Sequence, residues 1–324
     1  MKEQKSHFWI WVLILIGILV LILVFGALMN AGIIDFPKHE ENGEPTLQAF
    51  EESEEASNAE SQEALELSPT AAPSMAQAGD DDLDKIRATF DSYLNSAAGD
   101  WNLYFESLGA HKYSCETSLG IGADGAVAAS LIKLFIMAAV YQDIETGVIS
   151  HDAVYPLIHS MISASDNEAA NRLITTLGSG DPSVGMKKVT AYANAIGCDK
   201  TKLNRQMLDF NGAENYVSAG DCGKLLQLIY NGECINEKWS AEMLECLKAQ
   251  TVNNRIPAFL PEGTVVAHKT GDLSNLSCGD AAIVFTPYGD YILCAISNNS
   301  PNDAQTATDI ANLSAMIYHQ YTGS

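Results

Sequence analysis

The chain has 324 residues, enough for one or two domains. Its formal net charge of −23, from 18 Lys and Arg against 41 Asp and Glu, argues against nucleic acid as a partner, because phosphate contacts need a basic face. The 7 cysteines are scattered without a CxxC pair or a Cys/His spacing, so no metal site is indicated; an odd count leaves at least one thiol unpaired, and no disulfide can be assigned.

In chain order, residues 1–7 are a short polar segment holding Lys2 and Lys5, followed by an uncharged apolar run over residues 8–29. As a helix that run is about 33 Å long, enough for a hydrocarbon core of about 30 Å. It is too long for a signal-peptide core, and "LMNAG" is a poor cleavage site, so residues 8–30 read as an uncleaved transmembrane anchor. The lysines before it place the N-terminus in the cytoplasm, and the rest extracytoplasmic, as in a single-pass protein of the cell membrane. Residues 31–80 read as an acidic disordered linker. Fifteen acidic residues and one lysine fall between Asp35 and Asp84, and large apolar residues are few. Such a stretch cannot bury enough surface to offset its ordering entropy, and its like charges extend it.

Residues 81–324 are expected to form the folded domain. Residues 82–96 have Leu83, Ile86, Phe90 and Leu94 at helical spacing. "NLYFESLG" and "HKYSCET" read as two strands with a turn at Gly109 and Ala110, and Trp101 and Tyr104 as edge packing. A long helical middle follows over residues 129–247, with Asp221 as a helix cap. "GDAAIVFTPYGDYILCAISNN" is a hairpin, and "DAQTATDIANLSAMIYHQY" closes the chain as a helix. Strands at both ends with helices between predict one antiparallel sheet plus an all-helical subdomain, an α/β architecture of the α+β sandwich kind.

Three short motifs carry the chemistry: Ser130-Leu131-Ile132-Lys133, Ser165-Asp166-Asn167 and Lys269-Thr270-Gly271. A serine hydroxyl needs a neighbouring base to become a nucleophile, and positions i and i+3 share a helix face, so Lys133 can take the Ser130 proton. Desolvation or a second cation, for which Lys269 is a candidate, would lower the Lys133 pKa far enough. Ser165 can relay a proton to a leaving nitrogen, and Asn167 can donate to a substrate amide. Lys269 and Thr270 can hold a substrate carboxylate. Gly271 lets a ligand lie against the strand edge, and the backbone N–H groups of Ser130 and Asp272 can form an oxyanion hole. Any one of these motifs is weak; their order and flanks make the set specific. His268 reads as a sheet residue facing away from this site, and Arg255 as a surface or turn residue or, alternatively, as positive charge near the substrate carboxylate.

"AASLIKLFIMAAVY", "MISASDNEAANRLI", "KTKLNRQMLDFN", "VNNRIPAFLPEGTVVAHKTGD" and the hairpin resemble the serine β-lactamase, penicillin-recognising superfamily, closest to class A β-lactamase-like serine hydrolases. The resemblance runs over nearly all of residues 81–321. It implies a five-stranded antiparallel sheet with helices on both faces and a site between the sheet and the helical subdomain. It also implies an enzyme acylated at Ser130 by β-lactams or related amides, and it implies no cofactor. Two departures stand out. The segment between Ser130 and Ser165 is shorter than in typical class A enzymes. The position where those enzymes carry the glutamate that activates the deacylating water reads Met207, and a thioether cannot act as a base. Asn211 matches the family asparagine that helps hold that water, and Asp209, two residues beyond Met207, is the nearest substitute base. Two alternatives therefore stay open: a D,D-peptidase or penicillin-binding-type enzyme acting on peptidoglycan stem peptides, and a catalytically weak wall-binding module.

Overall fold

The computed structural model describes residues 80–323. The expected anchor over residues 8–30 and the linker, except for its last residue, lie outside the described residues. Asp80 already belongs to the first helix. Among the described residues no helix is long and apolar enough to cross a membrane.

Helix α1, Asp80–Leu94, buries Ile86, Phe90 and Leu94 on one stripe, as the fourfold spacing requires. Strands β1 (Asp100–Ser107) and β2 (Ser114–Leu119) form the first hairpin. Late in the chain come β5 (Val266–Leu273), β6 (Ser277–Val284), β7 (Tyr291–Asn298) and α8 (Asp303–Thr322). These five strands make one antiparallel sheet of order β2-β1-β7-β6-β5, so the two ends of the domain sequence meet where β1 pairs with β7. Both faces are covered, and β6 and β7 are accordingly buried along their whole length. Tyr291, Leu293 and Ala295 face α1 and α8, while Ile292, Cys294 and Ile296 face the other helices.

The second layer is helical. A 3-10 turn at Ala129–Ile132 leads into α2 (Lys133–Glu145), followed by α3 (His151–Ser163), α4 (Asn167–Leu177), α5 (Pro182–Ala195), α6 (Ala219–Tyr230) and α7 (Glu237–Lys248). Helix α2 is buried on every side from Lys133 to Tyr141, which is why its sequence shows no polar face. The middle of the chain is not helical throughout. A loop separates α5 from α6, and within it β4 (Tyr216–Val217) pairs with β3 (Ala126–Val127).

Three expectations are corrected. Trp101 is not edge packing: β1 is the second strand, flanked by β2 and β7, and the Trp101 indole is fully buried, edge-on to Tyr93 at 5.1 Å between ring centroids. Tyr104 lies against α6, where a Cβ on Gly223 would fall 2.3 Å from its ring; only glycine lets the helix approach that closely. Asp221 does not cap α6. Ser218 does, its Oγ accepting from the Asp221 N–H at 3.0 Å. The Asp221 carboxylate accepts from Lys200 N at 3.0 Å and Thr201 Oγ1 at 2.7 Å, tying down the loop after α5. All seven cysteines are free thiols; Cys115 is half-buried and the others are buried.

Candidate active site

The turn that presents Ser130 is held by the sheet. Val127 N donates to Asn298 Oδ1 at 2.8 Å, Ser277 Oγ donates to Val127 O at 2.7 Å, and Ala128 N donates to Asn215 O at 2.8 Å. Ala129 then takes a left-handed conformation, φ 43°, and the 3-10 turn begins. A non-glycine residue in that region is held there by its surroundings. Strand β5 lies directly against this turn. A Cβ on Gly271 would meet Leu131 Cγ at 3.0 Å, Ala128 O at 3.1 Å and Leu131 N at 3.2 Å. The absence of a side chain at Gly271 therefore lets β5 approach the nucleophile turn closely.

Lys133 follows on the first turn of α2, fully buried, with four oxygens around its amine. They are Ser130 Oγ at 3.1 Å, Ser165 O at 2.6 Å, Ser165 Oγ at 3.2 Å and Asn167 Oδ1 at 2.8 Å. Lys269, equally buried on β5, donates to Ser165 Oγ at 2.9 Å and to Thr270 O at 2.8 Å. Two amines thus share one hydroxyl oxygen. With that oxygen accepting from both lysines, the Ser165 hydrogen is free to point toward a third partner. Burial lowers Lys133 to about 8, against a smaller opposing pull from Asp166. Burial first, and the neighbouring Lys133 second, lower Lys269 to about 7. Both amines are therefore lowered far enough for a neutral fraction of each to exist near physiological pH.

Ser165 owes its place to backbone strain and a cap. It has φ 57°, and the next residue, Asp166, caps α4 by accepting from Glu168 N at 2.8 Å and Ala169 N at 3.1 Å. Those bonds, Ala169 foremost, hold the Asp166 carboxyl below its ordinary range, so its charge is engaged by the helix start.

A small cleft opens over Ser130. Asn167, Asp272, Met207, Leu208, Phe210, Arg205 and Glu214 line it. Lys133 and Lys269 lie beneath. Thr270 is buried, and its carbonyl accepts from the Lys269 amine. Met207 is only 8% exposed. Asn171 holds it from both sides: Met207 N donates to Asn171 Oδ1 at 2.7 Å, and Asn171 Nδ2 donates to Met207 O at 3.1 Å. The loop carrying Met207 is closed at its neck by Arg205 and Glu214, 2.6 Å apart. Asp209 and Asn211 are not brought to the cleft. Both are exposed, and Asn211 donates to Asp209 Oδ1 from its backbone N–H and its Nδ2, each at 3.1 Å. The loop is short, and that local turn points the pair at solvent.

Two residues of the site were not apparent in the motifs. Asn171 lies one helical turn after Asn167 on α4, a spacing from which it was discoverable. Arg255 was expected at the surface; instead it is 3% exposed and its Nη2 donates to the Asp272 carboxylate. No local pattern marks that pair, because the partner lies on β5. His268, beside Lys269, bonds Asp280 Oδ1 through Nδ1 at 2.9 Å and Asn253 Oδ1 through Nε2 at 3.0 Å.

Residues 153–321 match a family model described as the beta-lactamase enzyme family. This stretch includes the Ser165 and Lys269 motifs and begins after Ser130 and Lys133. The chain is 28% identical over 169 residues to beta-lactamase FAR-1 of Nocardia farcinica, covering 50% of this chain and 52% of that one. It is 30% identical over 160 residues to a beta-lactamase of Citrobacter koseri, covering 47% and 52%. The chain thus spans about half the length of the curated relatives it matches. Among solved structures, PBP-A superposes with a TM-score of 0.65 at 23% identity, over 75% of this chain and 97% of that one. TLA-1 extended-spectrum beta-lactamase superposes with a TM-score of 0.64 at 17% identity, over 74% and 99%. At such identities the likeness is one of fold. It agrees with the five-stranded antiparallel sheet and the helical layer seen here.

Proposed function

The chain belongs to the beta-lactamase enzyme family, and from that premise we propose that it is a serine hydrolase whose Ser130 is acylated by β-lactams or related amides. The observation that carries this reading is the hydrogen-bonded series Ser130, Lys133, Ser165, Lys269, with two buried amines lowered toward neutrality. Neutral Lys133 accepts the Ser130 proton as Oγ bonds to the carbonyl carbon. The C–O π pair moves onto oxygen, where the backbone N–H groups of Ser130 and Asp272 receive the charge. Ser130 is the second residue of its 3-10 turn, so its N–H has no partner within the turn. The oxyanion then collapses, the C–N bond breaks, and the departing nitrogen takes a proton through Ser165 from Lys133. The product is an acyl ester on Ser130. Lys269 supplies positive charge for a substrate carboxylate while it is protonated, and Ser165 and Thr270 O hold its amine in place.

Hydrolysis of that ester needs a base for water, and the side chain at the corresponding place in the cleft is Met207. This favours a second reading within the same chemistry, a penicillin-binding-type enzyme whose natural substrate is a peptidoglycan stem peptide. It is supported by a mutant of PBP-A, a structural neighbour, solved as an acyl-enzyme complex with penicillin G. Intact mass of the full chain, followed in time after mixing with a penicillin, separates the readings. The expected result is a mass gain on Ser130, absent in Ser130→Ala, that persists for hours. Decay within seconds would mean efficient β-lactam turnover, and no gain would refute acylation.

A further inference from the structure

Asp272 presents a contradiction. Its backbone N–H is one of the two donors assigned to the oxyanion, yet its own side chain is a carboxylate, 56% exposed on the wall of the same cleft. A bare negative charge on the residue that must stabilise negative charge would oppose the reaction. The structure supplies a counter-charge. Arg255 donates through Nη2 to Asp272 and through Nε to Cys278 Sγ at 3.4 Å. Asp272 and Cys278 are direct cross-strand partners on β5 and β6, so one guanidinium grips both members of a rung.

Arg255 is held in place from several directions. The next residue, Ile256, donates its N–H to Asp280 Oδ2 at 3.2 Å and accepts at its carbonyl from Ser314 Oγ of α8 at 2.9 Å. Asp280 is in turn bonded by His268, which also reaches Asn253, two residues before Arg255. This is a largely buried polar scaffold beneath the edge strand of the site, reaching solvent at the Asp272 carboxylate and at Asn253. Burying charged groups is unfavourable unless they are paired, so the arrangement invites a role.

We propose that Arg255 is a positioning residue that neutralises the Asp272 carboxylate beside the oxyanion and fixes that stretch of β5 against the nucleophile turn. The inference rests on the hydrolase reading above. It gives the rate of Ser130 acylation an electrostatic ordering that a scaffolding role does not.

The experiment measures acylation of full-length protein by one penicillin in four forms: unsubstituted, Arg255→Gln, Asp272→Asn and the double variant. Arg255→Gln deprives the carboxylate of its ion-pair partner, and acylation is expected to slow by about ten- to a hundred-fold. Asp272→Asn leaves an unopposed cation near the oxyanion and is expected to acylate faster than the unsubstituted chain. The double variant is expected to recover at least about tenfold over Arg255→Gln. A second readout is the rate of Arg255→Gln relative to the unsubstituted chain at each pH, which rises as the pH falls and Asp272 takes up its proton. Lys269 on the same strand, Asp280 on β6, Asp303 at the start of α8 and Arg255 itself are the charged groups acting on that carboxyl.

A double variant as slow as Arg255→Gln, or slower, overturns the proposal and leaves Arg255 a structural residue. So does an Asp272→Asn chain slower than the unsubstituted one, a comparison that survives even if Arg255→Gln fails to fold. Failure of the unsubstituted chain to acylate is a different result: it removes the hydrolase reading, and this inference with it.

Discussion

At the scale of single residues, chemistry and sequence position coincide at Ser130 and Lys133. Three residues apart at a helix start, they were bound to share a face, and the structure places Lys133 Nζ 3.1 Å from Ser130 Oγ. What the spacing could not show is the burial that makes the amine useful. Burial disfavours the ammonium form, so the fraction of Lys133 able to take a proton grows as pH rises through about 8. Acylation by a substrate without a carboxylate should therefore climb between about pH 7 and pH 9 and level off above. A flat profile across that interval would remove Lys133 as the base. An uncharged substrate is needed because Lys269 sheds its own charge near about 7 and would weaken carboxylate binding over the same interval. Met207 supports a second expectation. Met207→Glu places a carboxylate where Asn171 already fixes the backbone, and the lifetime of the acyl-enzyme should shorten by about a hundredfold. An unchanged lifetime would show that the cleft cannot hold a water in reach of that side chain. Arg255 is the counter-case at this scale: its neighbours in sequence, Asn254 and Ile256, say nothing of Asp272, so its burial was invisible until β5 was placed beside it.

At the scale of elements, the periodic segments were read well and the joints between them were not. The hairpin of β6 and β7 and the closing helix follow from apolar runs and turn residues, which act locally. The cap of α6 went to Ser218 rather than Asp221, since the two lie three residues apart and only the backbone path decides which side chain meets the free N–H groups. A junction of three helices offers a test. His151 on α3 bonds Glu242 of α7 at 2.6 Å and Asp152 of α3 at 2.9 Å, and stacks on Trp239 of α7. Tyr141 of α2 also donates to Glu242, Glu145 of α2 accepts from Trp239, and Lys238 of α7 lies over the Trp239 ring. The Glu242 hydrogen bond leads in raising the His151 pKa, with Asp152 adding to it and burial opposing. A group raised in the folded state stabilises it fully below its unfolded pKa of about 6.5 and loses that contribution as pH rises through the folded value. His151→Gln should consequently lower Tm more at about pH 5.5 than at about pH 8.5. An equal loss at both would mean that packing on Trp239, not charge, is what His151 contributes.

At the scale of the whole molecule, the domain and the N-terminal region pose separate questions. Among the described residues, side chains pack into a core on each face of the sheet. We therefore expect a chain lacking residues 1–79 to acylate at the same rate as the full chain while partitioning into the soluble fraction, the full chain remaining with the membrane. Recovery of the full chain in the soluble fraction would refute the anchor proposed for residues 8–30.

From its sequence alone, the chemistry of this protein was already narrowed to a serine, two lysines and a relay hydroxyl. Each motif is short enough for its residue types to be set by local chemistry, and order along the chain is all that sequence comparison needs. The meeting of those motifs was another matter. Ser165 lies between Lys133 and Lys269 because the β1–β7 pairing joins the two ends of the domain and brings β5 against the turn at Ala128. The same closure buried Arg255 beside Asp272 and set Gly271 against the nucleophile turn. Side-chain burial and ion pairing depend on contacts distant in sequence, and those exist only once the sheet has closed.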